Sequence, residues 1–215
     1  LVSRYDYSKG VQPYTSLLNL NTLISTEGLF QLNLNIDVPK AFERNLRLTH
    51  FFELSRFFED NFFGIARNQR LEPAFEENPD LYTFNSFRVF SELQVRIPIR
   101  YYNRINRLEF IYTNQFEYNT PFDNADSRLI SLDQPEGVDG GLTNLMLAGF
   151  ILERRDDEIR PTKGTFTKVT TGGAVQGLLS DYSIYQNAFE HRSYFTFHWP
   201  LTVTFANRVW FRNSI

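Results

Sequence analysis

The 215 residues include no cysteine, which excludes disulfides and thiolate metal sites and leaves the compartment open. A formal net charge of −3 and an isoelectric point near 5.7 offer no electrostatic footprint for nucleic acid. Phe (22) and Tyr (11) are abundant although the mean hydropathy is only −0.35, and no apolar run reaches the ~18 residues of a membrane helix. Many aromatics with a polar average suit strands that alternate apolar and polar side chains. The chain starts at Leu1 with no initiator Met, basic n-region or apolar h-region, so it reads as a mature segment or fragment.

Residues 1–13 have no clear period and read as irregular chain or the end of an incomplete strand. Residues 14–24 predict a strand, and Thr26, Glu27 and Gly28 a short turn. Over 29–38 the alternation is unbroken. Phe30, Leu32, Leu34, Ile36 and Val38 share one face, with Gln31, Asn33, Asn35 and Asp37 on the other. Pro39 and Lys40 end that strand. Residues 44–57 repeat the pattern: Leu46, Leu48, Phe52 and Leu54 lie opposite Arg47, Thr49, Glu53 and Ser55, with His50 interrupting the apolar row. Residues 58–80 are aromatic and acidic, carry Pro73 and Pro79, and read as a loop with room for a short extra strand. Residues 81–97 place Phe87, Val89, Leu93, Val95 and Ile97 opposite Arg88, Glu92, Gln94 and Arg96. Residues 98–104 predict a turn, 105–119 a strand through Leu108, Phe110, Tyr112, Phe116 and Tyr118, and 120–140 a loop rich in Asp, Pro and Gly. Strands over 141–155, 164–177, 182–197 and 201–213 complete the set.

The expectation is about nine strands, several longer than the ~5–6 residues of soluble sheets and close to the ~9–11 that cross a bilayer at a tilt. No helical period of useful length occurs. Turns near Pro39, Tyr102, Asp157 and Pro200 are short, whereas the connections near Glu72 and Asp133 are long. The short turns near Glu27 and Ser180 share the side of the long loops. Short turns at one end and longer loops at the other correspond to the periplasmic and extracellular ends of an outer-membrane barrel. The apolar face would meet lipid and the polar face a wet lumen. Lipid offers no hydrogen-bond partners, so the sheet must close. Phe57, Phe58, Phe62, Phe63, Tyr101, Tyr102, Trp199 and Trp210 fit interfacial girdles. A soluble all-β domain with a one-sided core is the alternative that the pattern leaves open.

The most distinctive stretch is 151–166. Leu145, Leu147, Gly149 and Ile151 form a small or apolar row leading in, and Thr165, Thr167, Val169 and Thr171 a row leading out. Between them Pro161 fixes φ and Gly164 admits positive φ, while Arg155 sets a five-donor fork beside the carboxylates of Asp156 and Asp157. Arg155-Asp156-Asp157 followed by Pro161-Thr162-Lys163-Gly164-Thr165 resembles the "R-D-N … P-T-x-G-T" turn of the bacterial surface antigen barrels. That superfamily includes BamA, TamA and related organelle translocases. Residues 61–68, Asn-Phe-Phe-Gly-Ile-Ala-Arg-Asn, resemble the family's "Y-F-G-I-G-N" stretch. A strand ending near Tyr194 to Trp199, a turn at Pro200 and a strand through Arg208 repeat its order. The matches cover roughly residues 30–212. Glu153 stands where Asp is usual and Ala66 where Gly is usual.

The resemblance implies an antiparallel up-and-down transmembrane β-barrel of sixteen strands. Residues 1–215 would form a single partial barrel domain resembling strands three to eleven, without the periplasmic repeats that precede such barrels. The family's "R-G-F/Y" motif and the seam between first and last strands are not in these residues. An open nine-strand sheet would leave two bare edges in lipid, so the natural protein is expected to continue at both ends or to be completed by another chain. The implied role is membrane-protein insertion or polypeptide translocation at the bacterial outer membrane, by β-augmentation at a weak seam with local bilayer thinning. Outer-membrane lipid and client or accessory outer-membrane and periplasmic proteins would be its partners. Arg155, Asp156, Asp157, Pro161 and Gly164 would be structural at the periplasmic mouth. Two other roles are open: a passive pore or transporter, with Arg88, Glu92, Arg96 and Glu109 lining the lumen, or a barrel anchor for an N-terminal secreted domain.

No enzyme, metal or cofactor is expected. The three histidines are His50, His191 and His198; the last two are seven apart and face opposite sides of a strand. Neighbouring carboxylates, Asp156–Asp157 and Glu76–Glu77, point apart in a strand or turn. Gly172-Gly173 lacks the strand-to-helix setting of a phosphate loop, and no Gly-x-Ser-x-Gly elbow occurs.

Overall fold

The computed structural model describes the chain apart from residues 10–12, 27, 63–81, 104–105, 123–128, 135–136, 199–200 and 215, and apart from the side chains of 43, 59–61, 129 and 133. Most of the predicted 58–80 loop, the Glu76–Glu77 pair, most of the 61–68 motif, Phe63, Trp199 and Pro200 therefore lie outside the described residues.

Ten strands form one antiparallel sheet in sequence order: β1 (Val2–Asp6), β2 (Ser16–Ile24), β3 (Phe30–Val38), β4 (Arg47–Asn61), β5 (Thr83–Tyr101), β6 (Arg107–Pro121), β7 (Gly141–Glu153), β8 (Gly164–Ala174), β9 (Ile184–Phe197) and β10 (Val203–Ser214). Every strand pairs with its neighbours in the chain, and the sheet is not closed. This all-β, up-and-down architecture is the expected one, with one strand more than predicted among the described residues. The short β1 carries no alternation of its own. Pairing with β2, from Val2 opposite Leu20 to Asp6 opposite Ser16, defines it.

Three further differences have local causes. The predicted turn at 98–104 is shorter, because β5 continues to Tyr101. Pro98 lacks an N–H to donate, and the register shifts between Pro98 and Arg100 without ending the strand. Likewise β4 runs past Phe57 through a shift between Phe57 and Asp60. A single turn of helix, α1 (Leu129–Asp133), sits in the 122–140 connection, and a 3-10 turn (Ala41–Glu43) follows β3. Both are too short to leave a helical period in the sequence.

Register assigns the faces, since residues directly opposite share one. One face carries Arg47, Arg96, Ile111, Gly149 and Thr170 in a single cross-strand row. Side chains from distant strands meet on it, so this is the concave side. The convex side carries Phe30, Leu32, Leu34, Ile36 and Val38 of β3, as predicted.

The predicted separation of apolar from polar is incomplete. Leu145, Leu147 and Ile151 belong to the concave face and are buried there. Ile111, Ile151 and Phe166 form one apolar cluster, and Leu145, Leu147 and Ala174 another. A curved sheet crowds side chains on its inner surface, so aliphatic groups find dry contacts there. Phe57 and Trp210, read as girdle residues, also point inward: Phe57 lies opposite Ser86, and Trp210 opposite Glu190. On the convex side β8 presents Thr165, Thr167, Val169 and Thr171, far more polar than β3.

Candidate functional site

The turn between β7 and β8 is built by its carboxylates. Arg154 N–H donates to the Thr165 carbonyl (2.8 Å), and Asp156 N–H to that of Lys163 (3.1 Å). The Asp156 carboxylate accepts from the Thr162 N–H (2.9 Å), the Lys163 N–H (3.1 Å) and the Thr162 hydroxyl (2.5 Å). Partial burial opposes its charge, yet these donors outweigh that effect and pull its pKa down to about 2. Asp157 accepts from the N–H groups of Ile159 and Arg160, both at 2.7 Å. The two adjacent carboxylates thus cap different backbone segments, as a structural turn requires. Gly164 closes the turn with φ of 101°, where a Cβ would lie 2.1 Å from the Arg154 carbonyl oxygen.

The turn delivers two side chains to the concave face. Arg155 grips the buried Glu153 through Nε (2.7 Å) and Nη2 (2.6 Å), and donates to the Glu158 carbonyl (3.2 Å). Burial alone would make this guanidinium easier to deprotonate; Glu153 reverses that and raises its pKa. Arg155 also covers one side of Phe166 at 4.9 Å, where Arg192 approaches at 5.2 Å. The second delivered side chain is Glu158, the hub of the mesh. Its carboxylate meets Arg47 of β4 (2.5 Å) and Arg107 of β6. Arg47 continues to Asp37 of β3 (2.5 Å), and Asp37 to the Tyr14 hydroxyl (2.6 Å). Arg107 continues to Glu109 (2.8 Å), whose other oxygen holds Arg96 of β5. Burial would suppress ionisation of Glu158, but Arg47 and Arg107 overcome it and hold its pKa at about 2. Burial next to Asp37 pushes the Tyr14 phenol well above its ordinary range.

The four predicted lumen residues all lie on the concave face but not together. Arg96 and Glu109 pair within the mesh. Arg88 pairs with Glu53 (3.3 Å) and Glu117 (2.8 Å), and Glu92 accepts from the Gln115 amide (2.5 Å), nearer the other end. Arg88, Glu92, Gln115, Glu117, Tyr182 and Arg212 help line a cavity of about 580 Å³ there. Sequence spacing does not single out Asp37, Arg47, Arg107 or Glu158. Each stands on a polar row or in the turn, and only the register reveals that they meet. Among the described residues, no cluster of His, Asp and Glu has the arrangement of a metal site. His50 bonds Ser91 (3.0 Å) and His191 bonds Thr167 (2.9 Å), each as a local pair on the convex face.

A single meander with membrane-length strands, an apolar convex β3 and a charged concave face defines the wall of a transmembrane β-barrel. No helix of the described residues is long and apolar enough to cross a membrane, which leaves crossing by strands unaffected. Residues 18–213 match the Omp85 superfamily domain, and the chain belongs to that superfamily: it is an outer-membrane β-barrel of the BamA and TamA type. No curated protein matches the chain at a significant level.

Proposed function

We propose that this barrel inserts client proteins into the bacterial outer membrane, or passes polypeptides across it, with accessory outer-membrane and periplasmic proteins as partners. The supporting observation is the reach of the superfamily match, which takes in all of β3 to β9 and most of β2 and β10. The arrangement of the mesh suits that role. Rigid fastening of the β7–β8 turn to β3, β4, β5 and β6 would keep this part of the wall in shape while another part opens. In this reading Arg155, Asp156, Asp157, Pro161 and Gly164 hold the periplasmic mouth, and Arg88, Glu92, Arg96 and Glu109 face the lumen. The chemistry needed is strand pairing and desolvation, with no covalent step.

The test is reconstitution of the full-length protein in lipid vesicles with an unfolded client barrel. Client folding should proceed faster than in vesicles without the protein, scored by the shift in gel mobility of the folded barrel. An unchanged client rate together with a steady, solute-selective conductance would refute this reading and identify a passive pore.

A further inference from the structure

Arg56 shares the convex face with Arg4, opposite Leu18, and Arg100, opposite Leu108, but meets two aromatic rings where Arg100 meets Tyr102. It lies directly between Phe30 of β3 and Phe87 of β5, on the convex face that carries Leu32, Leu34 and Val89. Its level is that of the rim: Phe30 is the first residue of β3, and Phe87 pairs with Thr120 near the end of β6. This is the end with the long 62–82 and 122–140 connections, the extracellular end of such a barrel.

Two rings grip the guanidinium. Its carbon lies 4.5 Å from the centroid of Phe58 and 4.6 Å from that of Phe122, and those rings meet edge to face at 5.2 Å and 84°. Those three distances put both rings on one side of the guanidinium, and contact with ring faces uses none of its five N–H donors. Among the described residues no carboxylate or carbonyl accepts from them, and the side chain is exposed. By contrast, Arg47, Arg88, Arg96, Arg107, Arg155 and Arg192 each reach a carboxylate on the concave face. A cation on the lipid face cannot stay unpaired, because the hydrocarbon offers nothing to replace its hydration. At the rim the available acceptors are headgroup oxygens, and a planar fork fits two oxygens of one phosphate.

We propose that Arg56, held against Phe58 and Phe122, is a binding site for the phosphate of an anionic lipid headgroup in the outer leaflet. The proposal rests on the outer-membrane barrel reading and adds to it a specific lipid contact on the wall. Contact with two aromatic rings distinguishes it from a flexible basic residue that merely snorkels to the interface.

Native mass spectrometry of the full-length protein in detergent tests this, with bis-phosphorylated lipid A, dephosphorylated lipid A and soluble inorganic phosphate as probes. The wild-type protein should retain the phosphorylated lipid. Arg56→Gln should weaken retention about tenfold or more, the loss expected for one charge-assisted bidentate contact. Arg56→Lys should restore it only partly, and Phe122→Leu should weaken it while leaving the charge in place. Each variant is first checked for the wild-type mobility of the folded, unheated protein, which an exposed position should preserve. Equal retention by wild type and Arg56→Gln overturns the proposal, as does equal retention of the dephosphorylated lipid. Displacement of the lipid by inorganic phosphate at matching concentration would assign the site to free phosphate and overturn the lipid assignment. In each of those cases a protein that still partitions into lipid leaves the barrel reading standing.

Discussion

Replacing Glu158 with Gln should loosen the β7–β8 turn without unfolding the sheet. The carboxylate bridges Arg47 and Arg107, with side-chain exposures of 20% for Glu158, 16% for Arg47 and 17% for Arg107. Breaking a buried ion pair outright costs about 3–5 kcal/mol, mainly through the stranded partner. Here the partners are not stranded, since Arg47 keeps Asp37 and Arg107 keeps Glu109. The lower end of that range therefore applies. The drop of the Glu158 pKa from 4.5 to about 2 independently corresponds to about 3 kcal/mol. Hydrogen–deuterium exchange on the full-length barrel reads this at the amides of Arg154 and Asp156, whose bonds to Thr165 and Lys163 close the turn. Protection there should fall about a hundredfold in Glu158→Gln and stay unchanged in Arg160→Gln. The pH dependence has a definite sign. A carboxylate with a depressed folded pKa contributes fully above about pH 4.5 and loses its contribution as the pH falls toward about 2. Wild-type protection should drop across that window, and Glu158→Gln should lack this component. Wild-type protection at both amides in Glu158→Gln would show that backbone and Asp156 contacts alone hold the turn, and that the mesh does not fasten it.

Asp156→Asn removes charge from an acceptor that holds three backbone N–H groups and one hydroxyl, so trypsin should cut after Lys163 several-fold faster in the folded protein. Gly164→Ala places a Cβ 2.1 Å from a backbone oxygen at φ of 101°, which should cost more than about 3 kcal/mol and abolish the folded band on an unheated gel. On the convex face the Asn114 amide donates to Asn144 at 2.6 Å. Either Asn→Leu alone should destabilise the barrel in vesicles by about 1 kcal/mol, measured by urea unfolding. The double replacement should be neutral or stabilising, because it removes both polar groups from lipid.

Alternation made the long strands legible. Leu32, Leu34 and Ile36 admit no other period, and register confirmed their common face. Breaks in alternation obscured the rest. Pro98 marks a bulge inside β5 and not a turn, because the sheet absorbs one missing donor by shifting register. The residues of the β7–β8 turn were legible through Pro161, Gly164 and the paired aspartates, whose constraints are local. Glu158 was not, because its partners lie 111 and 51 positions away. Nothing within its own turn distinguishes a carboxylate that faces water from one that receives two guanidinium groups.

The two ends of the wall are held by different physics, which follows from what each surface faces. At the short-turn end the fastening is on the concave side, where Asp37, Arg47, Glu158, Arg107, Glu109 and Arg96 neutralise one another across four strands and the β7–β8 turn, and the Tyr14 hydroxyl donates to Asp37. Charges there have nearby partners because a curved sheet brings its inner side chains together. At the long-loop end Phe58, Phe122 and Arg56 lie on the convex side, where curvature spreads side chains apart and fewer partners are in reach. Aromatic surface replaces ion pairing, and among the described residues no carboxylate meets the cation. The ion-pair mesh thus finds its partners within the chain, whereas the proposed lipid contact at Arg56 would draw its anion from the membrane.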